Sequence, residues 1–144
     1  QESKFFEPGT DVVVAKTPFG NIGLMVCYDL RFPELALTLR ARGANILTAP
    51  AAFTYTTGQM HWQLLLQARA MDSQSIVLGA AQQGWHGEKR QTWGHAAATN
   101  SRGQVLDLIL NTGAQLITVP FDLAEQVKIR ESMPLMQHRK LVQF

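Results

Sequence analysis

The chain has 144 residues, 46% of them apolar and 17% charged, and its mean hydropathy lies near zero, which excludes a disordered or fibrous protein for the bulk of it. Lys and Arg outnumber Asp and Glu by only 13 to 11, and the scattered basic residues argue against a nucleic-acid or anionic-membrane partner. No apolar run reaches the length of a membrane span, and the polar start Gln1-Glu2-Ser3-Lys4 lacks the features of a signal peptide, so a reducing, cytoplasmic setting is expected.

In chain order, residues 11–16 carry the β-branched run Val12-Val13-Val14 and residues 22–27 are apolar on both faces, with Pro18 and Gly20 marking a turn between them. This predicts a hairpin whose second strand is buried in mid-sheet and ends at Cys27. Pro33 and Glu34 signal a helix start, with Leu35, Ala36 and Leu39 facing inward and Gly43 closing it. Residues 45–50 read as the next buried strand, completing a right-handed βαβ unit. A polar loop over 54–58 is expected to lead into a second helix over about 60–73, with Leu64, Leu65, Ala68 and Met71 inward and His61 and Trp62 packed at its start. Residues 75–82 predict a third apolar strand and residues 84–89 a loop rich in Gly and His. Three further strands are expected over 93–100, 104–110 and 115–121, then a short helix capped by Asp122 and ended by Pro134.

A single cysteine forms no internal disulfide, so Cys27 is a buried core residue, a nucleophile or an intermolecular crosslink. Its predicted place at a strand-to-helix junction is where open α/β sheets hold their active sites. There a helix start favours thiolate, and the N–H groups of Tyr28 and Asp29 are candidates to receive an oxyanion. From position alone, nucleophile and core cysteine stay equally open.

The string Gly23-Leu24-Met25-Val26-Cys27-Tyr28-Asp29-Leu30-Arg31-Phe32-Pro33-Glu34 resembles the nucleophile segment of the nitrilase superfamily of carbon–nitrogen hydrolases. The resemblance continues through Pro50-Ala51-Ala52-Phe53, Thr57-Gly58, His61-Trp62, Arg69-Ala70, Trp93-Gly94-His95 and residues 134–139. Residues 83–95 are most similar to the deaminated-glutathione amidase branch. The resemblance implies an α/β protein with the α-β-β-α sandwich of nitrilases, of which this chain supplies roughly the C-terminal half as one partial domain over 1–144. A sheet cut this way is expected to leave an unpaired edge and an uncovered apolar face.

Members of this family use a Glu base, a Lys that stabilises the tetrahedral intermediate, a Cys nucleophile and a supporting Glu, with no cofactor. By resemblance Cys27 matches the nucleophile and Glu2 the supporting Glu. The base Glu and the Lys fall upstream of the matched segment, so the isolated chain is expected to be inactive, and a truncated remnant or binding fragment is the alternative to an amidase. His61, His95, Asp29 and Glu34 are candidate substitutes for the base, with nothing in the sequence to bring them to Cys27. The resemblance also implies a homo-oligomer, through the helices after the nucleophile, or a complement with the other half.

Tyr28 and Phe53 are candidate substrate-pocket residues, Phe53 equally a core aromatic. Lys89 and Arg90 are candidates to contact a carboxylate-bearing amide, against the alternative of a solvated loop. Asp29 and Arg31 are expected to brace the turn after Cys27 as a charged pair. His61, His86, His95 and His138 show no metal-ligand spacing.

Overall fold

A computed structural model describes residues 4–140. Glu2 therefore lies outside the described residues. The elements, in chain order, are β1 (Val14–Thr17), β2 (Gly20–Leu24), a 3-10 turn (Cys27–Arg31), α1 (Pro33–Ala41), β3 (Ile46–Thr48), α2 (Tyr55–Ser73), β4 (Ile76–Gly79), β5 (Gln83–His86), β6 (Arg90–Trp93), β7 (Ala97–Thr99), β8 (Val105–Leu108), α3 (Leu123–Ser132) and α4 (Leu135–His138).

Six strands form one mixed sheet in the order β1-β2-β3-β4-β7-β8. The centre is parallel, with Gly23 level with Leu47 and Leu47 level with Val77. Antiparallel pairs flank it, β1 on β2 at one side and β7 then β8 at the other. A parallel centre must be covered to stay dry, and the apolar runs of β3 and β4 suit burial on both faces. One face is covered by α1 and α2, whose Leu39, Trp62 and Leu66 are fully buried in one cluster with Leu47, Val77 and Ala97. Pro33 opens α1 with its missing N–H at a position that needs no donor. At the other end the Ala44 N–H donates back to the Leu39 carbonyl, with Gly43 at φ +94 making the turn.

The opposite face is covered at its lower end by α3. Asp122 caps this helix, its Oδ1 accepting from the Ala124 N–H at 2.7 Å, as the sequence predicts. Gln126, almost fully buried, donates to the Asn45 carbonyl (2.8 Å) and to Ser101 Oγ (3.0 Å), and accepts from Asn45 Nδ2. Arg130 donates to the carbonyls of Gln74 and Ala44 and to Ser75 Oγ, all at 3.1–3.2 Å. Burial and then the nearby Arg40 cation push its pKa down to about 10.

Four expectations are corrected. α2 begins at Tyr55, so residues 54–58 are not a loop: Gly58 lies against the Trp93 ring, where a Cβ would stand 2.2 Å from a Trp93 atom. Its buried residues are Gly58, Trp62, Leu66, Arg69, Ala70 and Ser73, Leu65 packs against the core as expected, and Leu64 and Met71 are exposed. Residues 84–89 are mostly a hairpin, β5 against β6, with the turn over 87–89. Residues 115–121 form no strand, and β8 is the last strand of the sheet among the described residues.

Candidate active site

The parallel strands β2, β3 and β4 all end on the same side, and their ladder runs on past the regular elements. The Met25 N–H donates to the Thr48 carbonyl (3.0 Å) and the Cys27 N–H to the Pro50 carbonyl (2.9 Å). One strand further, the Ala49 and Ala51 N–H groups donate to the Leu78 and Ala80 carbonyls. Cys27 is thus held by the final rung of the sheet rather than by a free loop.

At that rung the backbone turns sharply. Cys27, half-buried, has φ +47, a left-handed conformation that is costly for a residue with a Cβ and persists where surrounding contacts enforce it. Those contacts are visible. The Asp29 carboxylate accepts from the Val26 N–H (2.9 Å), the Asp29 N–H donates to the Val26 carbonyl (2.9 Å), and the Phe32 N–H donates to the Asp29 carbonyl (3.0 Å). Asp29 therefore braces the turn, but not as a pair with Arg31. The Arg31 guanidinium instead sits 5.4 Å from the ring centroids of both Tyr28 and Phe53, with Nη1 3.4 Å from His61 Nδ1.

The two donors expected at the oxyanion differ. The Asp29 N–H is committed to Val26, whereas the Tyr28 N–H has no hydrogen-bond partner among the described residues. A free N–H on the residue after Cys27 is the type of donor that an oxyanion on an attacked carbonyl would need.

Cys27 opens into a cleft of about 1120 Å³, walled by Pro50, Ala51 and Ala52 after β3 and by Ala80, Ala81 and Gln82 after β4. Tyr28, Asp29, Arg90 and the pair Phe5 and Phe6 complete its rim. Of the candidates from sequence, Cys27, Tyr28, Asp29 and Arg90 meet here. Arg90, at the start of β6, reaches the Ala52 carbonyl with Nη2 (3.3 Å). Lys89 is in the exposed hairpin turn and is not among the cleft's lining residues. Phe53 is buried edge-on to Trp62, with centroids 5.2 Å apart, and belongs to the core rather than to the cleft wall.

The other singled-out residues are held elsewhere. His95, at φ +62, stacks on Trp93 at 4.0 Å, and its carbonyl accepts from Trp62 Nε1 (2.7 Å). His86 Nε2 is 2.7 Å from Thr92 Oγ1. Neither lines the cleft, nor do His61 and Glu34. Sequence reading missed Phe5 and Phe6, which a pattern of core and motif positions passes over because they lie in an irregular segment. Among the described residues no cluster of three or more His, Cys, Asp or Glu is placed to hold a metal ion, and no helix is long and apolar enough to cross a membrane.

The geometry has counterparts in known proteins. The chain is 44% identical to deaminated glutathione amidase from Yersinia enterocolitica over 99% of its own length and 49% of that protein's. The Caenorhabditis elegans NitFhit crystal structure superposes with a TM-score of 0.88 at 40% identity, covering 96% of this chain and 34% of that one. A variant of the amidase from Nesterenkonia sp. AN1, whose active-site cysteine carries the acetamide moiety of fluoroacetamide, matches with a TM-score of 0.68 at 28% identity, over 75% of this chain and 41% of that one. The chain spans about half the length of the curated amidase from Yersinia that it matches. The carbon-nitrogen hydrolase family matches residues 1–131, and with a nitrilase-type α/β fold of which it forms about half, the chain belongs to that family.

Proposed function

We propose that this chain is the nucleophile-bearing part of an amidase that hydrolyses a small carboxylate-bearing ω-amide, such as deaminated glutathione. The observation that carries the reading is Cys27 itself: a half-buried thiol in a left-handed turn on the last rung of a parallel sheet, beside an unpaired N–H and opening into a cleft. In this reading the Cys27 sulfur bonds to the amide carbon, and the carbonyl oxygen takes the negative charge beside the Tyr28 N–H. The C–N bond then breaks, the amine leaves with the proton it acquires (ammonia from a primary amide, the amino-terminated remainder from a secondary amide such as deaminated glutathione), and water hydrolyses the acyl-thioester to free acid and thiol.

Glu2 is assigned the supporting role by resemblance. A general base and a cation for the intermediate are to come from a segment like that preceding residue 1 in the family, on the same polypeptide or a partner. The 144-residue chain alone is then expected to release ammonia at a negligible rate, because members of a catalytic unit fail together. The family's habit of pairing through the helices after the nucleophile, here α1 and α2, makes a homo-oligomer part of the same proposal. Arg90 is the basic residue of the cleft rim and supports the choice of an anionic amide; Lys89 is a second, outer contact for a larger one.

The test is an acyl adduct on Cys27, detected by mass spectrometry when the full-length protein meets a panel of ω-amides, together with release of the ammonia or amine product that Cys27→Ala abolishes. An adduct on no residue, or release of the ammonia or amine product that survives Cys27→Ala, overturns the reading.

A further inference from the structure

Arg31 ends the turn after Cys27, yet it pairs with no carboxylate among the described residues. Asp29, two residues before it, already holds the Val26 N–H. The half-buried guanidinium is fixed instead by side chains from three parts of the fold. Its carbon stands 5.4 Å from the ring centroid of Tyr28 in the same turn and 5.4 Å from that of Phe53 in the segment after β3, and Nη1 lies 3.4 Å from Nδ1 of His61 on α2. A guanidinium donates and never accepts, so His61 Nδ1 is the acceptor and the imidazole proton sits on Nε2. Phe53 is itself buried against Trp62, which ties Arg31 to the packed face of the sheet.

Tyr28 is the member of this group that matters to chemistry. The Cys27 and Asp29 N–H groups on either side of it are committed to the Pro50 and Val26 carbonyls, whereas its own N–H has no partner among the described residues. No hydrogen bond of that N–H therefore fixes the peptide that carries it. Next to it, Cys27 is left-handed at φ +47, a strain that rotation of the same peptide would relieve. What opposes that rotation is the Tyr28 side chain, whose ring is held by Arg31 and meets Phe32 edge-on.

We propose that Arg31 is a positioning residue for the amide reaction: through the Tyr28 ring it aims the Tyr28 N–H at the carbonyl oxygen of a substrate on Cys27, and His61 in turn holds Arg31. This rests on the amidase reading and adds to it the side chains that orient its oxyanion donor. A lysine cannot take the part, because a planar guanidinium lies against ring faces while donating in its own plane, and an ammonium is a point charge.

The experiment uses the full-length protein and the ω-amide of the panel that the wild type turns over fastest. Arg31→Lys and His61→Leu are expected to lower kcat by about tenfold to a hundredfold, with KM within about twofold of wild type, since the donor acts on the charge that develops in the transition state. The double variant is no slower than Arg31→Lys alone, because His61 works through Arg31. His61→Asn, whose Oδ1 accepts near the place of Nδ1, recovers most of the loss, and added guanidinium ion raises the rate of Arg31→Ala. Alkylation of Cys27 by iodoacetamide, a displacement at saturated carbon that forms no oxyanion, keeps its wild-type rate in Arg31→Lys and His61→Leu. An unchanged kcat in Arg31→Lys overturns the positioning role and leaves the amidase reading intact. So does a rise in KM at constant kcat, which would make Arg31 a substrate contact. A fall in alkylation as large as the fall in kcat also overturns it, since Arg31 would then support the sulfur and not the donor. Absence of turnover of every amide by the wild type overturns the amidase reading, and this role with it.

Discussion

The two faces of the central sheet are built differently. On the helix-covered face, Leu39, Leu47, Trp62, Leu66 and Val77 have no exposed surface at all. On the other, Ile76 is buried beside Gln126 and Ile129 of α3 at the lower end, but Leu24 is 46% exposed and Leu106 is open as well. The hold on the second face is mostly polar: Gln126 and Arg130 reach carbonyls and hydroxyls in the loops that enter β3 and β4 and in the β7–β8 turn. The difference teaches that close packing fixes the rigid half of this molecule, while directed hydrogen bonds suffice where apolar coverage is partial.

Breaking the packed side has the largest effect. Trp62→Ala removes a fully buried ring, its contact with Phe53 and its bond to the His95 carbonyl, and is expected to cost about 3–5 kcal/mol in a denaturant titration. A loss below about 1 kcal/mol contradicts the claim that this face sets stability. Next, Gln126→Ala leaves Asn45 and Ser101 without their partner and is expected to cost about 1–3 kcal/mol. If α3 were held by apolar contact alone, that variant would melt with the wild type.

Asp29→Ala takes one hydrogen bond from the turn at Cys27 and should cost about 1 kcal/mol. Its second readout is the alkylation rate of Cys27 by iodoacetamide, which should change while the far-UV spectrum does not. Smallest of all, Leu24→Ser on the open face is expected within about 0.5 kcal/mol of wild type. A large loss there would mean that the exposed face is covered in solution by another molecule, and sedimentation of the same variant would tell whether a second copy is responsible.

Legibility in the sequence followed the same division. The turn from β2 through Cys27 into α1, and the Asp122 cap of α3, depend on residues adjacent in the chain, and Pro33, Gly43 and Asp122 announce them. α2 was harder to place because it carries apolar residues on two sides. Leu64 and Met71 compete with Trp62 and Leu66 in any periodicity count, and the choice between them is made by Gly58, Trp93 and the His95 carbonyl, all distant contacts. The β5–β6 hairpin has a polar pattern with Gly84 and Gly87 in it, and it exists because Thr92 and Trp93 attach its base to Thr54 and Phe53. Residues 115–121 have a strand's composition but no strand to pair with among the described residues. At the site, Cys27 and Tyr28 were readable from the motif. The separation of Arg90 from Lys89, and of the cleft from Phe53, needed the strand register and the packing of α2.

The Cys27 N–H bond to the Pro50 carbonyl has a consequence for how this site changes under mutation. The sulfur's position is a property of two neighbouring strands, whereas the β5–β6 hairpin that brings Arg90 is a sheet of its own, joined to the body at its base. On the proposed reading, exchanging Arg90 and its hairpin neighbours alters what the cleft admits without displacing the Cys27 sulfur. Laboratory selection for new amides should accumulate its productive substitutions in residues 84–91 and spare the turn after β2.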